Sequence, residues 1–192
     1  MLNIILLGPP GSGKGTQTER LIQKHDFALI AVGALLRKKI AENSPDKALI
    51  ERYIHHGQLV PDSLTFTLVE QLVREQCATK SLLFDGFPRT ILQATFLDDL
   101  LATYNTKIDG VIFFDVSHDI LRQRLKNRAA IEGRVDDQDI NNINTRIRIH
   151  EQKSLPIVDY YKAQHKLYRV DGGQNINRVT QVIQSIMDGL RP

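Results

Sequence analysis

The stretch Ile4-Ile5-Leu6-Leu7-Gly8-Pro9-Pro10-Gly11-Ser12-Gly13-Lys14-Gly15-Thr16 decides the fold class. Its first four residues are all apolar, as in a strand covered on both faces. The amphipathic run over residues 16–24 reads as a helix. Between them, glycines let the backbone curl until successive N–H groups point at one anion. The helix N-terminus adds its dipole, and Lys14 can reach a phosphate chain held there. Gly11, Ser12, Gly13, Lys14, Gly15 and Thr16 are therefore the expected phosphate-binding residues. The loop departs from the strict GxxxxGK[ST] pattern, because Gly15 takes the hydroxyl position and Thr16 comes one later.

Outward from this loop, short apolar runs at residues 27–30, 82–84, 111–116 and 167–170 read as further strands. Helix-like blocks at 35–41, 63–76, 91–101, 120–128 and 177–187 alternate with them. Five strands with covering helices make a doubly wound α/β domain: a parallel sheet with helices on both faces. Two stretches break this rhythm. Residues 31–60 carry helices but no strand, and residues 129–137 form a short polar loop. Insertions at the carboxyl edge of a parallel sheet sit over the ligand crevice, so both are candidates for moving pieces.

Composition narrows the function classes. Of 192 residues, 42% are hydrophobic, enough for a real core. Lys and Arg number 25 against 22 Asp and Glu, a net charge of +3 that is too mild for a general nucleic-acid binder. Residues 122–148 hold seven basic residues but also four acids, so they form no basic stripe. Cys77 is the single cysteine, which excludes a disulfide framework and a cysteine-rich zinc site. No window approaches the ~20 apolar residues of a membrane span, and Met1-Leu2-Asn3-Ile4 lacks a charged leader region. A soluble, cytoplasmic protein without membrane or nucleic-acid partners is expected. The six histidines, His55-His56 being the only adjacent pair, read as surface or helix residues.

A phosphate loop of this type needs a carboxylate for a metal ion at the end of a neighbouring strand. Asp85 closes one apolar run and Asp115 closes another, so the pattern alone does not choose between them. The run Asp85-Gly86-Phe87-Pro88-Arg89-Thr90, with Gln93 three residues on, favours the first.

Together with the loop at 8–16, that segment resembles the adenylate kinases, a family of P-loop nucleoside monophosphate kinases. Gly33-Ala34-Leu35-Leu36-Arg37 is similar to the family's acceptor-site helix, and Gly57-Gln58-Leu59-Val60-Pro61-Asp62 to the loop closing the acceptor pocket. Gln123-Arg124-Leu125-Lys126-Asn127-Arg128, then Gly133-Arg134-Val135-Asp136-Asp137, resembles the lid and its hinges. Arg146, with Pro156 ten residues later, is similar to the segment after the lid, and Asp171-Gly172-Gly173-Gln174 to the turn against the donor base. The resemblance implies one P-loop kinase domain over 1–192, with a core at 1–30, 61–127 and 138–192. It further implies a nucleoside monophosphate-binding insertion at 31–60 and a short lid at 128–137.

The implied reaction is reversible transfer from Mg-ATP to AMP, giving two ADP. Lys14, Arg89, Arg124, Arg134 and Arg146 would be catalytic. The loop residues with Arg124, Arg128 and Gln174 would hold ATP. Val32, Gly33, Arg37, Gln58, Leu59, Val60, Gly86, Phe87, Pro88, Arg89, Gln93, Arg134 and Arg146 would hold AMP. Asp136 and Asp137 would orient the arginines, and Asp85 would hold Mg²⁺ directly or through its waters. Only seven residues separate Arg128 from Asp136, with no Cys or His among them, so no lid zinc is expected. A monomer is the default expectation.

This assignment suits the chemistry of the residues. Phosphoryl transfer between nucleotides gathers negative charge, and the acceptor phosphate is itself the nucleophile. Catalysis is then alignment and neutralisation, which forked guanidinium groups perform better than lysine. Arg124 and Arg128 lie four apart and share a helix face; a solvated basic face is the competing reading for that pair. The sequence also departs from the family. Ile30-Ala31-Val32-Gly33-Ala34 stands where the family has Ser-Thr-Gly-Asp, so Val32 lacks a hydroxyl and Ala34 a carboxylate. The segment from Asp136 to Arg146 is one residue longer than the family's. Weaker AMP binding is expected, and a pyrimidine nucleoside monophosphate kinase is the runner-up reading, against which Gln93 weighs.

Overall fold

The computed structural model describes residues 1–133 and 137–190. Strands β1 (Ile4–Leu7), β2 (Phe27–Ala31), β3 (Ser81–Asp85), β4 (Gly110–Asp115) and β5 (Leu167–Asp171) form one parallel sheet in the order β2-β3-β1-β4-β5. The alternation of side chains along each strand divides the core. Ile4 and Leu6 pack with Leu83, Ile112 and Phe114 beneath α1 (Lys14–Lys24) and α9 (Ile176–Leu190). Ile5 and Leu7 turn the other way, with Leu82, Phe84 and Phe113, toward α4 (Asp62–Gln76), α5 (Ile91–Thr103) and α8 (Leu155–Ala163). All four β1 side chains are buried, as an apolar run sandwiched between helix layers must be, and each such Leu or Ile stabilises by roughly 1.5–3 kcal/mol.

The strand order fixes where a ligand belongs. The connections after β1 and after β4, adjacent strands, leave in opposite directions across the sheet, one toward β2 and one toward β5. Their carboxyl ends therefore flank a crevice.

The remaining helices stand over that edge: α2 (Val32–Ala41), α3 (Lys47–Ile54), α6 (His118–Glu132) and α7 (Ile140–Ile149). Leu121 and Leu125 of α6 meet Ile143 and Ile147 of α7 in a small apolar cluster of their own. A single π-helical turn, His150–Ser154, joins α7 to α8, with the Leu155 N–H donating to the His150 carbonyl five residues back.

Several bounds differ from those read in the sequence. The fourth strand is Gly110–Asp115 and excludes Val116. Helix α2 starts at Val32 rather than at 35. Helix α6 extends past 128 to Glu132, because Ala129, Ala130 and Ile131 sustain it until Gly133 takes a left-handed φ of 63° and ends it. Residues 129–132 of the expected polar loop are thus helix. Helices α7 and α8 have no counterpart among the expected blocks. In α7, Asn141, Asn142, Asn144 and Thr145 are poor helix formers; burial of Ile143 and Ile147, one turn apart, overrides them.

Candidate active site

A cleft of about 700 Å³ opens at the carboxyl ends of β1, β3 and β4. The loop between β1 and α1 forms its floor. Gly13 caps α1 at φ 97°, a conformation costly for any residue with a Cβ, and no side chain caps that helix end. The first-turn N–H groups are thereby left for an anion. Lys14 folds back so that Nζ donates to the carbonyls of Gly8 (2.7 Å) and Pro9 (2.9 Å) and to Ser12 Oγ (3.3 Å). Burial lowers its pKa to about 8; Asp85 opposes the fall, while the charges of Arg89, Arg128 and Arg146 add to it.

Asp85 ends β3 and lines the cleft, accepting a hydrogen bond from Thr18 Oγ1 (3.3 Å). Asp115, at the end of β4, is turned outward to Arg169 (3.4 Å). Tertiary structure thus separates two aspartates that the apolar-run pattern leaves equivalent. A carboxylate beside a phosphate loop fits Mg²⁺, which keeps most of its waters and binds through one or two carboxylates plus phosphate. Among the described residues no cluster of three or more His, Cys, Asp or Glu could hold a metal ion.

The five arginines come from four separate segments, Arg124 and Arg128 sharing α6. Arg37 and Arg89 approach each other over Gly33: a Cβ there would lie 3.4 Å from Arg37 Nη1 and 4.0 Å from Arg89 Nη2. Arg89 Nε donates to the Gly86 carbonyl (2.8 Å), and Ser154 Oγ donates to the Arg89 carbonyl (2.9 Å). Arg124 reaches from α6 to donate to the Gly172 carbonyl (2.8 Å) and, more weakly, to that of Ser12 (3.4 Å). Arg128 Nε donates to Asp137 (2.6 Å), and Arg146 pairs with the other oxygen of the same buried carboxylate. Besides these arginines the main cleft is lined by Gly11, Ser12, Gly13, Gly15, Thr16, Gly33, Leu59, Gly86, Pro88 and Gln174.

A smaller recess of about 80 Å³ adjoins it, walled by Val32, Gln58, Leu59, Val60, Phe87 and Gln93, with Gly33, Arg37, Gly86, Arg89 and Arg146 at its rim. Gln93 is buried with both amide atoms engaged: Oε1 accepts from the Arg89 N–H (2.7 Å) and Nε2 donates to Asp62 (2.6 Å). Arg134 and Asp136 lie outside the described residues. Sequence reasoning missed Thr18, Asp62, Ser154 and His150. Thr18 lies only two positions beyond the loop's last residue, and Asp62 ends the 57–62 segment, so each had a signal. Ser154 and His150 had none, because the π-turn that presents them leaves no mark in composition.

The reading of all six histidines as surface or helix residues did not foresee the place of His150, a helical residue turned into the cleft. It sits in the π-turn, is 8% exposed, lines the main cleft and has a pKa lowered to about 3, by burial first and then by Lys14 and Arg89.

A model of the family described as adenylate kinase matches residues 6–166. The chain belongs to that family. It is 39% identical over 191 residues to an adenylate kinase of Porphyromonas gingivalis, covering 100% of this chain and 98% of the relative. An adenylate kinase of Flavobacterium psychrophilum is 36% identical over 190 residues, 99% of this chain and 100% of its own. One from Thermus thermophilus is 40% identical over 169 residues, 88% of each chain. The five-stranded parallel sheet with its glycine-rich loop after β1 is the P-loop architecture expected of this family. No described helix is long and apolar enough to cross a membrane.

Proposed function

We propose that the chain is an ATP:AMP phosphotransferase, converting Mg-ATP and AMP reversibly into two ADP. The observation that carries this reading is the arrangement of Lys14, Arg37, Arg89, Arg128 and Arg146 around one large cleft and its side recess, with Asp85 among them. Donor phosphates lie on the loop amides and Lys14, with the donor base toward Arg124, Arg128 and Gln174. The acceptor occupies the recess, its phosphate between Arg37 and Arg89. An oxygen of that phosphate attacks the γ-phosphorus in line, and the bond to the β-phosphate oxygen breaks, leaving the electron pair on the departing ADP. The cations and loop dipoles neutralise the spreading charge; no side-chain nucleophile is needed. Asp85 would hold Mg²⁺, directly or through its waters, and the ion would supply further positive charge against the gathered phosphates.

Residues 31–60 serve as the acceptor-binding insertion and 128–137 as a short lid, with Arg134 and Asp136 completing the arginine clamp that Asp137 organises. Closure keeps water from the γ-phosphoryl group. The protein acts as a monomer in the cytoplasm, and its one cysteine, Cys77, is buried. The test is a coupled assay of purified protein with Mg-ATP and each of AMP, CMP, UMP and GMP. AMP is expected to be the best acceptor; ATP turnover independent of any monophosphate, or a larger kcat/KM with CMP or UMP, overturns the reading.

A further inference from the structure

His150 combines three properties that packing alone does not account for. It is buried, yet it lines the phosphate cleft beside Asp85, Arg89 and Arg146. Its Nε2 is sealed from solvent and has no hydrogen-bond partner among the described residues. A buried polar atom left unpaired is rare in folded proteins and marks either strain or use. Third, the hydrogen-bond register changes at His150, whose carbonyl accepts from the N–H of Leu155 five residues on, and single π-turns inside helices concentrate at functional sites.

The surroundings determine the form of the ring. Lys14 and Arg89 both act on it, and with burial they push its pKa down to about 3, so the imidazole is neutral at physiological pH. A neutral imidazole carries one N–H donor and adds no charge between two cations. The ring is steadied by Phe113 of β4, nearly parallel to it at 10° with centroids 6.4 Å apart. The next residue, Glu151, points the opposite way and pairs with His118 at 2.8 Å, anchoring the turn to the start of α6. Ser154, at the other end of the turn, fixes the Arg89 carbonyl. The π-turn therefore delivers one side chain to the phosphate cleft and another to the backbone of an arginine beside it.

We propose that His150 is a phosphate ligand of the reaction, its imidazole donating Nε2–H to a non-bridging oxygen of the nucleotide phosphates gathered by Lys14 and Arg89. This rests on the phosphotransferase reading above. The contact forms as the ring turns about its Cβ–Cγ bond when phosphate enters, replacing an unpaired donor by a charge-assisted hydrogen bond.

His150→Phe keeps a ring against Phe113 and removes the donor, whereas His150→Gln keeps a donor near the Nε2 position and removes the ring. For wild type and both variants the measurements are kcat, the KM of each nucleotide and the melting temperature. A further readout is the ¹⁵N resonance of the His150 ring as inorganic triphosphate is added, assigned by its disappearance in His150→Phe. The expected result is a kcat lowered about tenfold or more in His150→Phe, melting within about 3 °C of wild type, and recovery to within about threefold in His150→Gln. The wild-type ring signal is expected to move with triphosphate. Wild-type kcat in His150→Phe, or equal impairment of both variants with an unmoved ring signal, overturns the proposal. Should His150→Phe melt much lower, the ring signal in wild type decides alone. A wild type that moves its ring signal yet transfers nothing to AMP rejects the phosphotransferase reading instead, and leaves His150 as a phosphate ligand.

Discussion

Lys14 concentrates the chemistry of a single residue. Its ammonium donates to the carbonyls of Gly8 and Pro9, and burial holds its pKa near 8 against 10.5 for an ordinary lysine. Between those two values the unfolded chain binds the extra proton and the folded one does not. Stability from this group therefore rises as the pH rises from about 8 to 10.5. A phosphate chain supplies the negative charge that favours the ammonium, so binding raises the pKa and takes up a proton. Calorimetric titration with ATP at about pH 8.5, in two buffers of different ionisation enthalpy, is expected to show a substantial fraction of a proton absorbed. At about pH 6.5, where Lys14 is already charged, uptake from this group should vanish. Equal uptake at both values would contradict the assignment. The loop itself was legible in the sequence because its parts are contiguous: strand, glycines, lysine and helix occur within 21 residues. The value of the pKa was not, since Asp85, Arg89, Arg128 and Arg146 arrive from elsewhere.

At the scale of elements, the turn after β5 shows how a backbone can be part of a site. The Gly172 N–H donates to the Asp115 carbonyl (2.9 Å), and its own carbonyl receives Arg124. A Cβ at Gly172 would stand 2.7 Å from Val116 Cγ2 and 3.0 Å from the Ser12 carbonyl, so the turn lies against the phosphate loop with no room for a methyl group. Gly172→Ala is expected to raise the KM for ATP about three- to tenfold and to cost about 1–3 kcal/mol of stability, with the KM for AMP within about twofold. Initial rates and urea unfolding measure both, and an equal rise in the two KM values would speak against it. Elements held by periodic apolar residues were foreseeable, as β1 and α9 were. Helix α7 was not, because its helicity comes from seating Ile143 and Ile147 against α6 and not from its asparagine-rich composition.

For the whole molecule the decisive feature is contact between the insertion and the far side of the cleft. Asn142 Nδ2 of α7 donates to the His55 carbonyl (2.7 Å), and Gly57, at φ 66°, lies so close to Arg146 that a Cβ would be 3.0 Å from its Cγ. The acceptor recess is thereby walled from both sides by segments some 90 residues apart. Removing the amide in Asn142→Ala should loosen this closure and raise the KM for AMP about three- to tenfold, the value of roughly one hydrogen bond, with the KM for ATP unchanged. Steady-state kinetics with each nucleotide varied in turn checks it; an unchanged KM for AMP would mean that the contact plays no part in holding the acceptor.

The amino-acid order alone determined the alternation of strands and helices, the anion-binding loop and the family, because each is written in neighbours or in a fixed period along the chain. Folding alone turned Asp85 into the cleft and Asp115 away from it, joined Arg128 and Arg146 through one buried carboxylate, and set a buried imidazole in the phosphate cleft. Those are properties of distance and dielectric, which arise only when remote segments exclude water together.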